Sequence, residues 1–178
     1  MTGVQIGAKP DSGFDDPIGM LKDCHRRIER FLHILWWVAN GAEGRALTDE
    51  ESAAVQAALQ YFHVGGQRHN ADEEESLFPR LRGGAGAAHE AELCRLENDH
   101  RTADKLHAAV ESLYTAWISA GRLSREGGQR LLSATDQLKR LYEAHIQVEE
   151  QVVFPHAAQT LDEGTIATIG REFRARRA

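Results

Sequence analysis

The chain contains the same motif twice, in two matched halves. The pattern His-x-x-x-Glu-Glu, followed two residues later by an aliphatic residue and Phe-Pro, occupies residues 69–79 and again residues 145–155. A further histidine precedes each copy at nearly the same distance, because His25 lies 44 residues before the first motif and His100 lies 45 residues before the second. Each half therefore offers two imidazoles and one motif carboxylate in equivalent places.

Hydrophobic periodicity predicts helices along the whole chain. Apolar residues recur every three or four positions, which is the spacing of one helix face, and no strand pattern competes. Helix-start signals stand at Asp16-Pro17 and at the capping box Thr48-x-x-Glu51. We expect four long helices and a short fifth one, at about residues 17–39, 49–79, 88–119, 124–160 and 162–174.

Long helices joined by short loops predict an all-α protein. The expected architecture is an antiparallel up-and-down four-helix bundle with a short fifth C-terminal helix. We divide the chain into a flexible N-terminal arm at residues 1–16, the bundle at residues 17–160, and a C-terminal helix with a basic tail at residues 161–178. Pro79 and Pro155 are expected to end or kink their helices just beyond the motifs.

Charge and composition exclude several classes of partner. The formal net charge is −6, which argues against nucleic acid, because binding to its phosphates requires clustered Lys and Arg. No apolar run approaches the roughly 20 residues that cross a bilayer, and the first residues show no secretory signal, so we expect a cytoplasmic protein with no membrane partner. The C-terminal arginines are expected to be a solvated tail, and Cys24 and Cys94 to be free thiols.

Six polar residues fall on the apolar stripes that should face the interior: His25, His69, Glu73, His100, His145 and Glu149. A His and a Glu four positions apart share a helix face, so each motif directs an imidazole and a carboxylate at one point. Buried carboxylates without partners are costly. A pair of transition-metal ions would satisfy this set, and mixed imidazole and carboxylate ligands suit iron, and also manganese or zinc. A polar core without metal is the alternative.

The whole pattern resembles the hemerythrin-like HHE cation-binding domains over residues 17–160. The resemblance implies a non-haem centre of two iron ions in a four-helix bundle. Because two divalent ions carry +4 and two glutamates return −2, a bridging oxo or hydroxo group would reduce the remaining charge. The resemblance also implies two histidines on each iron and two bridging glutamates: His25 with His69, His100 with His145, and Glu73 and Glu149 between them.

The pattern departs from that of oxygen-carrying hemerythrins at Asp104. Those proteins place a fifth histidine four residues after the ligand of the third helix, where this chain has Asp104, and Glu29 stands in the equivalent position of the first half. We interpret both acids as groups that orient the histidine rings or pair with nearby arginines, with direct ligation by one of them as the alternative. Without the fifth imidazole, open coordination positions favour reaction with oxygen, peroxide or nitric oxide over reversible oxygen carriage.

Other polar residues near the motifs have possible roles. Tyr142 should line a pocket above the metals, and its counterpart in the first half is Gly66; core packing or the capping of a small cavity would each explain the tyrosine. His107 is interpreted as a core histidine, with a relay role as the alternative. Glu74 and Glu150 follow the ligand glutamates and should pair near the site or at the surface.

Three functions fit these features. The first is binding of, or reaction with, a small diatomic or peroxide ligand (O2, NO or H2O2) in sensing, storage or stress defence. The second is a di-iron oxidase or peroxidase-type enzyme with an unknown substrate, in which Tyr142, Asp104 or Glu29 would move protons. The third and least favoured is iron storage or delivery.

Overall fold

The computed structural model describes residues 11–83 and 89–178. These residues form helices joined by short loops and contain no strand. The first helix is Pro17–Gly41, the third is Glu90–Ala120 and the fifth is Glu163–Ala175. The second and fourth long helices consist of α-helical pieces joined by π-helical turns. The second runs through Asp49–Tyr61, the π turn Phe62–Gly66, Gln67–Asp72, the π turn Glu73–Leu77 and Phe78–Arg82. The fourth runs through Arg125–Val148, the π turn Glu149–Val153 and Phe154–Thr160.

These helices confirm the predicted all-α class. The first helix packs against the second and the fourth, and the third packs against the same two. The fifth helix lies against the first and against the π turn Glu73–Leu77 of the second. None of the helices in the described part of the chain combines the length and the hydrophobicity that a membrane span requires.

Side-chain caps begin four of the helices. Asp16 accepts a hydrogen bond from the backbone of the first helix, and Thr48, Ser124 and Asp162 do the same for the second, fourth and fifth. Such caps satisfy amides that have no partner within a helix. The third helix ends at Gly121, whose φ of +68° lies in the left-handed region that favours glycine.

The two motif prolines lie within continuing helices. The helix predicted to end at Pro79 continues to Arg82, so that boundary was wrong. In both motifs the residue before the proline donates its N–H to the carbonyl five residues earlier, from Phe78 to Glu73 and from Phe154 to Glu149. The wider π turn accommodates a residue that cannot donate a hydrogen bond, and the chain resumes the α-helix after it.

Two apolar clusters lie on either side of the six polar residues. The larger cluster includes Ile28, Leu35, Phe62, Val110, Trp117, Leu131 and Tyr142. The smaller cluster includes Leu21, Leu77, Phe78, Leu96, Val153, Phe154 and Phe173. Along the chain, the first and third helices contribute to the smaller cluster before the larger one, and the second and fourth do so in the opposite order. On the first three long helices the polar residues lie between the two contributions, and on the fourth they lie where the larger cluster, ending at Ile146, gives way to the smaller one.

Two arginines of the predicted solvated tail bind a buried carboxylate instead. Asp72 is fully buried, and its oxygens accept hydrogen bonds from Arg176 (3.0 Å) and Arg177 (3.2 Å). Arg176 also donates to the hydroxyl of Ser76 at 2.7 Å. The expectation of a solvated tail was therefore wrong for these two residues, because a buried Asp requires a cationic partner.

Most of the predicted N-terminal arm falls outside the described residues. In residues 11–16, the amide of Ser12 donates to Asp23 of the first helix at 2.6 Å. The carbonyl oxygen of Phe14 approaches Gly170 of the fifth helix so closely that a Cβ there would lie 1.9 Å from it. These contacts place residues 11–16 against the first and fifth helices.

Candidate metal centre

The structure brings all six sequence-predicted ligand residues together in one buried layer. Each of the six residues is at most 4% exposed. They form two overlapping groups whose potential ligand atoms lie within 4.8 Å of one another: His25 and His69 with Glu73 and Glu149, and His100 and His145 with the same two glutamates. Both carboxylates therefore belong to both groups.

Each carboxylate reaches one histidine of each pair. Oε2 of Glu149 lies 3.1 Å from Nε2 of His25, and its Oε1 lies 3.2 Å from Nε2 of His145. Glu73 has the same relation to the other two histidines. Its Oε1 lies 3.5 Å from Nε2 of His69, and its Oε2 lies 3.4 Å from Nε2 of His100. The two oxygens of one carboxylate thus face different groups, which is the geometry that a bridging carboxylate requires.

The two carboxylates of the polar layer are not satisfied by protein hydrogen bonds. All four oxygens of Glu73 and Glu149 are buried and have no hydrogen-bond partner of good geometry among the described residues. Two such carboxylates side by side are costly unless opposite charge neutralises them. A pair of cations would supply that charge, and four imidazoles with two carboxylates are donors that transition metals accept. The residues present therefore fit a metal pair.

The residue that follows Glu73 or Glu149 in the chain forms a hydrogen bond with a histidine of another helix. Nδ1 of His25 lies 2.9 Å from Oε1 of Glu150, and Nδ1 of His100 lies 2.7 Å from Oε1 of Glu74. Because an ionised carboxylate only accepts hydrogen bonds, each Nδ1–H donates and the Nε2 lone pair faces the centre. The structure confirms that Glu74 and Glu150 pair beside the site.

The other two histidines have unequal surroundings. Nδ1 of His145 lies 3.6 Å from Asp99, a long ionic contact rather than a good hydrogen bond. Nδ1 of His69 is buried without a hydrogen-bond partner among the described residues. Asp99 directly precedes His100, and the equivalent residue of the first half is Cys24. The duplicated site is therefore asymmetric in the groups that hold its histidines.

Burial and neighbouring charges separate the pKa values of the layer. Burial raises the pKa of Glu73 well above its usual range, and the nearby charge of Glu149 adds to this. Burial would also raise the pKa of Glu149, but His145 and then His25 hold it well below the usual range. Burial alone would lower the pKa of His145, but Glu149 and Asp99 raise it to about 10. The metal-free layer thus keeps a proton on His145 and favours the protonated form of Glu73, and such protons must leave before these groups ligate a metal.

Two of the predicted acids lie outside the layer. Glu29 is half-exposed and forms an ion pair with Arg26 at 3.0 Å, which agrees with the interpretation that it pairs with an arginine. Asp104 is exposed and lines a pocket. Neither acid belongs to the two groups of potential ligands, so the geometry gives direct ligation by them no support.

Tyr142 separates the polar layer from a pocket. Its ring centroid lies 6.3 Å from that of His145, and its hydroxyl lies 3.1 Å from Nε2 of His107. The pocket holds about 310 Å³ and is lined by Leu59, Phe62, His63, Gly66, Gln67, Asn70, Asp104, His107, Ala108, Glu111 and Tyr142. This confirms the expectation that Tyr142 lines a pocket.

Both polar groups at the floor of this pocket are neutral at pH 7. Burial raises the pKa of Tyr142. Burial also lowers the pKa of His107 to about 4. His107 is thus a partly buried histidine whose Nε2 has a specific hydrogen-bond partner, Tyr142, as expected of a satisfied core histidine.

Sequence reasoning did not find the π turns at the site. The turns Glu73–Leu77 and Glu149–Val153 each begin at a ligand-type glutamate. Single π turns inside α-helices often lie at functional sites. The available signal was the repeated Phe-Pro, because a proline in the middle of a helix requires a local change of hydrogen bonding.

Comparison with known proteins agrees with the geometry of the layer. The family model described as the hemerythrin HHE cation-binding domain matches residues 16–157. A protein of Haemophilus influenzae, described as uncharacterized, is similar to this chain: the two are 26% identical over 164 residues, which cover 92% of this chain and 91% of the relative.

Proposed function

The chain belongs to the hemerythrin HHE cation-binding domain family, and from this premise we propose that its buried layer binds two iron ions. In this proposal, one ion is held by His25 and His69 and the other by His100 and His145. Glu73 and Glu149 bridge the two, and an oxo or hydroxo group balances the remaining charge. The observation that carries the proposal is the arrangement of the four buried carboxylate oxygens, each of which faces a different imidazole Nε2 and has no satisfied hydrogen bond.

We also propose that the four long helices form the antiparallel up-and-down bundle expected from the sequence. The alternating order in which successive helices contribute to the smaller and the larger cluster supports this arrangement. In such a bundle, ligands on all four helices reach one level of the interior, as a shared metal pair requires.

The proposed role of the centre is to bind or react with a small ligand such as oxygen, nitric oxide or hydrogen peroxide, in sensing, storage or stress defence. When bound, reduced iron would supply the electrons for this chemistry. Two histidines and two shared carboxylates give each ion four protein donors, which leaves coordination positions for a small molecule. His25 and His100 are fixed by Glu150 and Glu74, so the protein side of the centre is held before any ligand arrives.

An oxidase or peroxidase-type enzyme is the second candidate. The pocket beside Tyr142 and His107 favours it, because a substrate larger than a diatomic molecule would need space next to the centre. Iron storage or delivery has less support, because all six proposed ligand residues are buried.

The test is metal analysis of protein produced with iron, together with electronic spectra and stopped-flow kinetics of the reduced form. We expect two irons per chain and the absorption of a bridged ferric pair. An oxygen adduct that releases under vacuum would support carriage, rapid oxidation with peroxide turnover would support an enzyme, and iron transfer to a chelator would support delivery. A chain that takes up no iron, or that keeps its iron in a variant lacking both Glu73 and Glu149, would contradict the proposed centre.

A further inference from the structure

The two halves of the chain differ at one polar pair beside the duplicated layer. Tyr142 lies three residues before His145, where the first half has Gly66 three residues before its motif histidine. His107 lies seven residues after His100, where the first half has Leu32 seven residues after its own upstream histidine. In the second half, the Tyr142 hydroxyl therefore lies 3.1 Å from Nε2 of His107. The first half has a glycine and a buried leucine in the equivalent positions.

This pair lies at the floor of the pocket of about 310 Å³ between the second and third helices. The π turn Phe62–Gly66 forms part of the wall, and the ring of Phe62 lies 4.2 Å from that of His107. Gly66 ends the same turn and adds no side chain to the space. Tyr142 belongs to the pocket and also contacts His145 of the polar layer, so the pocket reaches the layer through this residue.

The acidic residues in the lining of this pocket select small molecules by their charge. Among the residues that the structure describes, no Lys or Arg lines the pocket, whereas Asp104 and Glu111 lie on its exposed side. The amides of Gln67 and Asn70 add donors and acceptors without charge. A negative lining disfavours anions, and the hydroxyl–imidazole pair offers hydrogen bonds to a neutral molecule.

We propose that this pocket is the access and binding site for a small neutral molecule that both donates and accepts hydrogen bonds, of the class of hydrogen peroxide, and that Tyr142 and His107 position it beside the metal layer. The inference rests on the proposed di-iron function and adds to it the route and the chemical class of the ligand. The proposal requires no group to change its protonation.

Two adjacent alanines of the third helix provide a matched test. Ala108 and Ala109 are both exposed, but Ala108 lines this pocket and Ala109 lines a separate surface depression against the fourth helix. We expect Ala108→Trp to cover the pocket and to slow the second-order reaction of the reduced, iron-loaded protein with hydrogen peroxide by about tenfold or more, the size of a new barrier at the access step. Ala109→Trp should stay within about twofold of the parent protein.

Metal content separates the two possible failures. If the parent protein holds no iron, the proposed function fails before the pocket is tested. If the parent protein and both variants hold two irons and react with peroxide at the same rate, the di-iron centre stands and the pocket inference is overturned. Circular dichroism of each variant shows whether the protein is folded when its rate of reaction with peroxide is measured.

Charge selection has its own test, with azide as an anionic probe of the oxidised centre. The double variant Asp104→Asn/Glu111→Gln removes the two acids of the pocket, and Glu126→Gln/Glu143→Gln removes two exposed acids elsewhere with a similar change in net charge. We expect the first to raise the rate of azide association about threefold or more at low ionic strength, and the second to leave that rate close to the rate of the parent protein. Equal azide rates in the two double variants would overturn the assignment to a neutral ligand.

Discussion

His25 is held on both edges by two adjacent residues of the fourth helix. Its Nδ1 donates to Glu150 at 2.9 Å, and its Nε2 lies 3.1 Å from Glu149. His100 has the same relation to the second helix, with Glu74 at its Nδ1 and Glu73 near its Nε2, at 2.7 Å and 3.4 Å. One helix thus supplies a ligand-type carboxylate and the group that orients a histidine across the interface, so the pairing of helices determines the geometry of the centre.

Removal of an orienting carboxylate should weaken metal binding without removing a ligand. We expect Glu150→Ala or Glu74→Ala to lower metal affinity about tenfold or more, because the imidazole loses the acceptor that fixes its orientation and tautomer. Competition with a chelator measures this affinity. Glu143→Ala, at an exposed position of the fourth helix, is the control and should leave it unchanged, and an equal affinity in all three variants would contradict the assignment.

Removal of a proposed bridge should cost more than the ligands of a single ion. Each carboxylate faces both groups, so Glu73→Ala or Glu149→Ala should reduce the content from two irons to fewer than one per chain. His69→Ala, which faces only one group, should retain about one iron. Metal analysis after desalting measures the content, and two irons per chain in both glutamate variants would disprove bridging.

Metal uptake should release protons, and affinity should rise with pH. The pKa of Glu73 lies well above its usual range and that of His145 is about 10 in the metal-free layer. At pH 7 His145 therefore holds a proton that a metal must displace, and the raised pKa of Glu73 favours a second one, so at least one proton should appear in the solvent per metal pair. Calorimetric titration in buffers of different ionisation enthalpy counts them, and an affinity independent of pH between 6 and 8 would contradict this account.

The C-terminal arginines should contribute to stability through Asp72. This carboxylate is fully buried and pairs with Arg176 and Arg177, so Arg176→Ala/Arg177→Ala should lower the free energy of unfolding by about 3 kcal/mol, the cost of an unpaired buried charge. Addition of Asp72→Ala to this double variant should recover part of the loss, because the unpaired charge is then gone. Denaturant unfolding measures both values.

Arg171 provides the control for this prediction. It is exposed and donates only to Thr168 of its own helix in the described structure, so Arg171→Ala should change the free energy of unfolding by less than about 0.5 kcal/mol. If the double arginine variant were as stable as this control, the contact with Asp72 would not contribute to stability.

His107 should make the metal-free protein less stable in acid. Its folded pKa is about 4, lowered by burial, whereas an unfolded histidine titrates near 6.5. Between these values the unfolded chain binds the extra proton, so stability falls as pH decreases from about 6.5 to about 4, by up to about 3 kcal/mol. His107→Leu, which copies the first-half residue Leu32, should remove this part of the pH dependence. Urea unfolding of both chelated proteins at pH 7 and pH 4.5 tests it, and the same acid loss in both proteins would contradict the prediction.

The sequence by itself determined the helical class and the set of residues in the layer. A spacing of four residues places His69 and Glu73 on one face whatever the rest of the chain does, and the repeat at His145 and Glu149 doubles that set. The apolar stripes predicted that this face is buried. Local periodicity is sufficient for such statements because the geometry of a single helix fixes them.

Only the tertiary structure decided which groups meet across helices. Glu150 binds His25 over 125 positions of the chain, and Arg176 binds Asp72 over 104. The π turns that begin at Glu73 and Glu149, and the pairing of Tyr142 with His107, likewise depend on how neighbouring helices pack. Spacing specifies the direction of a side chain around its own helix, but not the distance, register and partner of the opposing helix. Those quantities place Glu150 behind His25 and Glu74 behind His100.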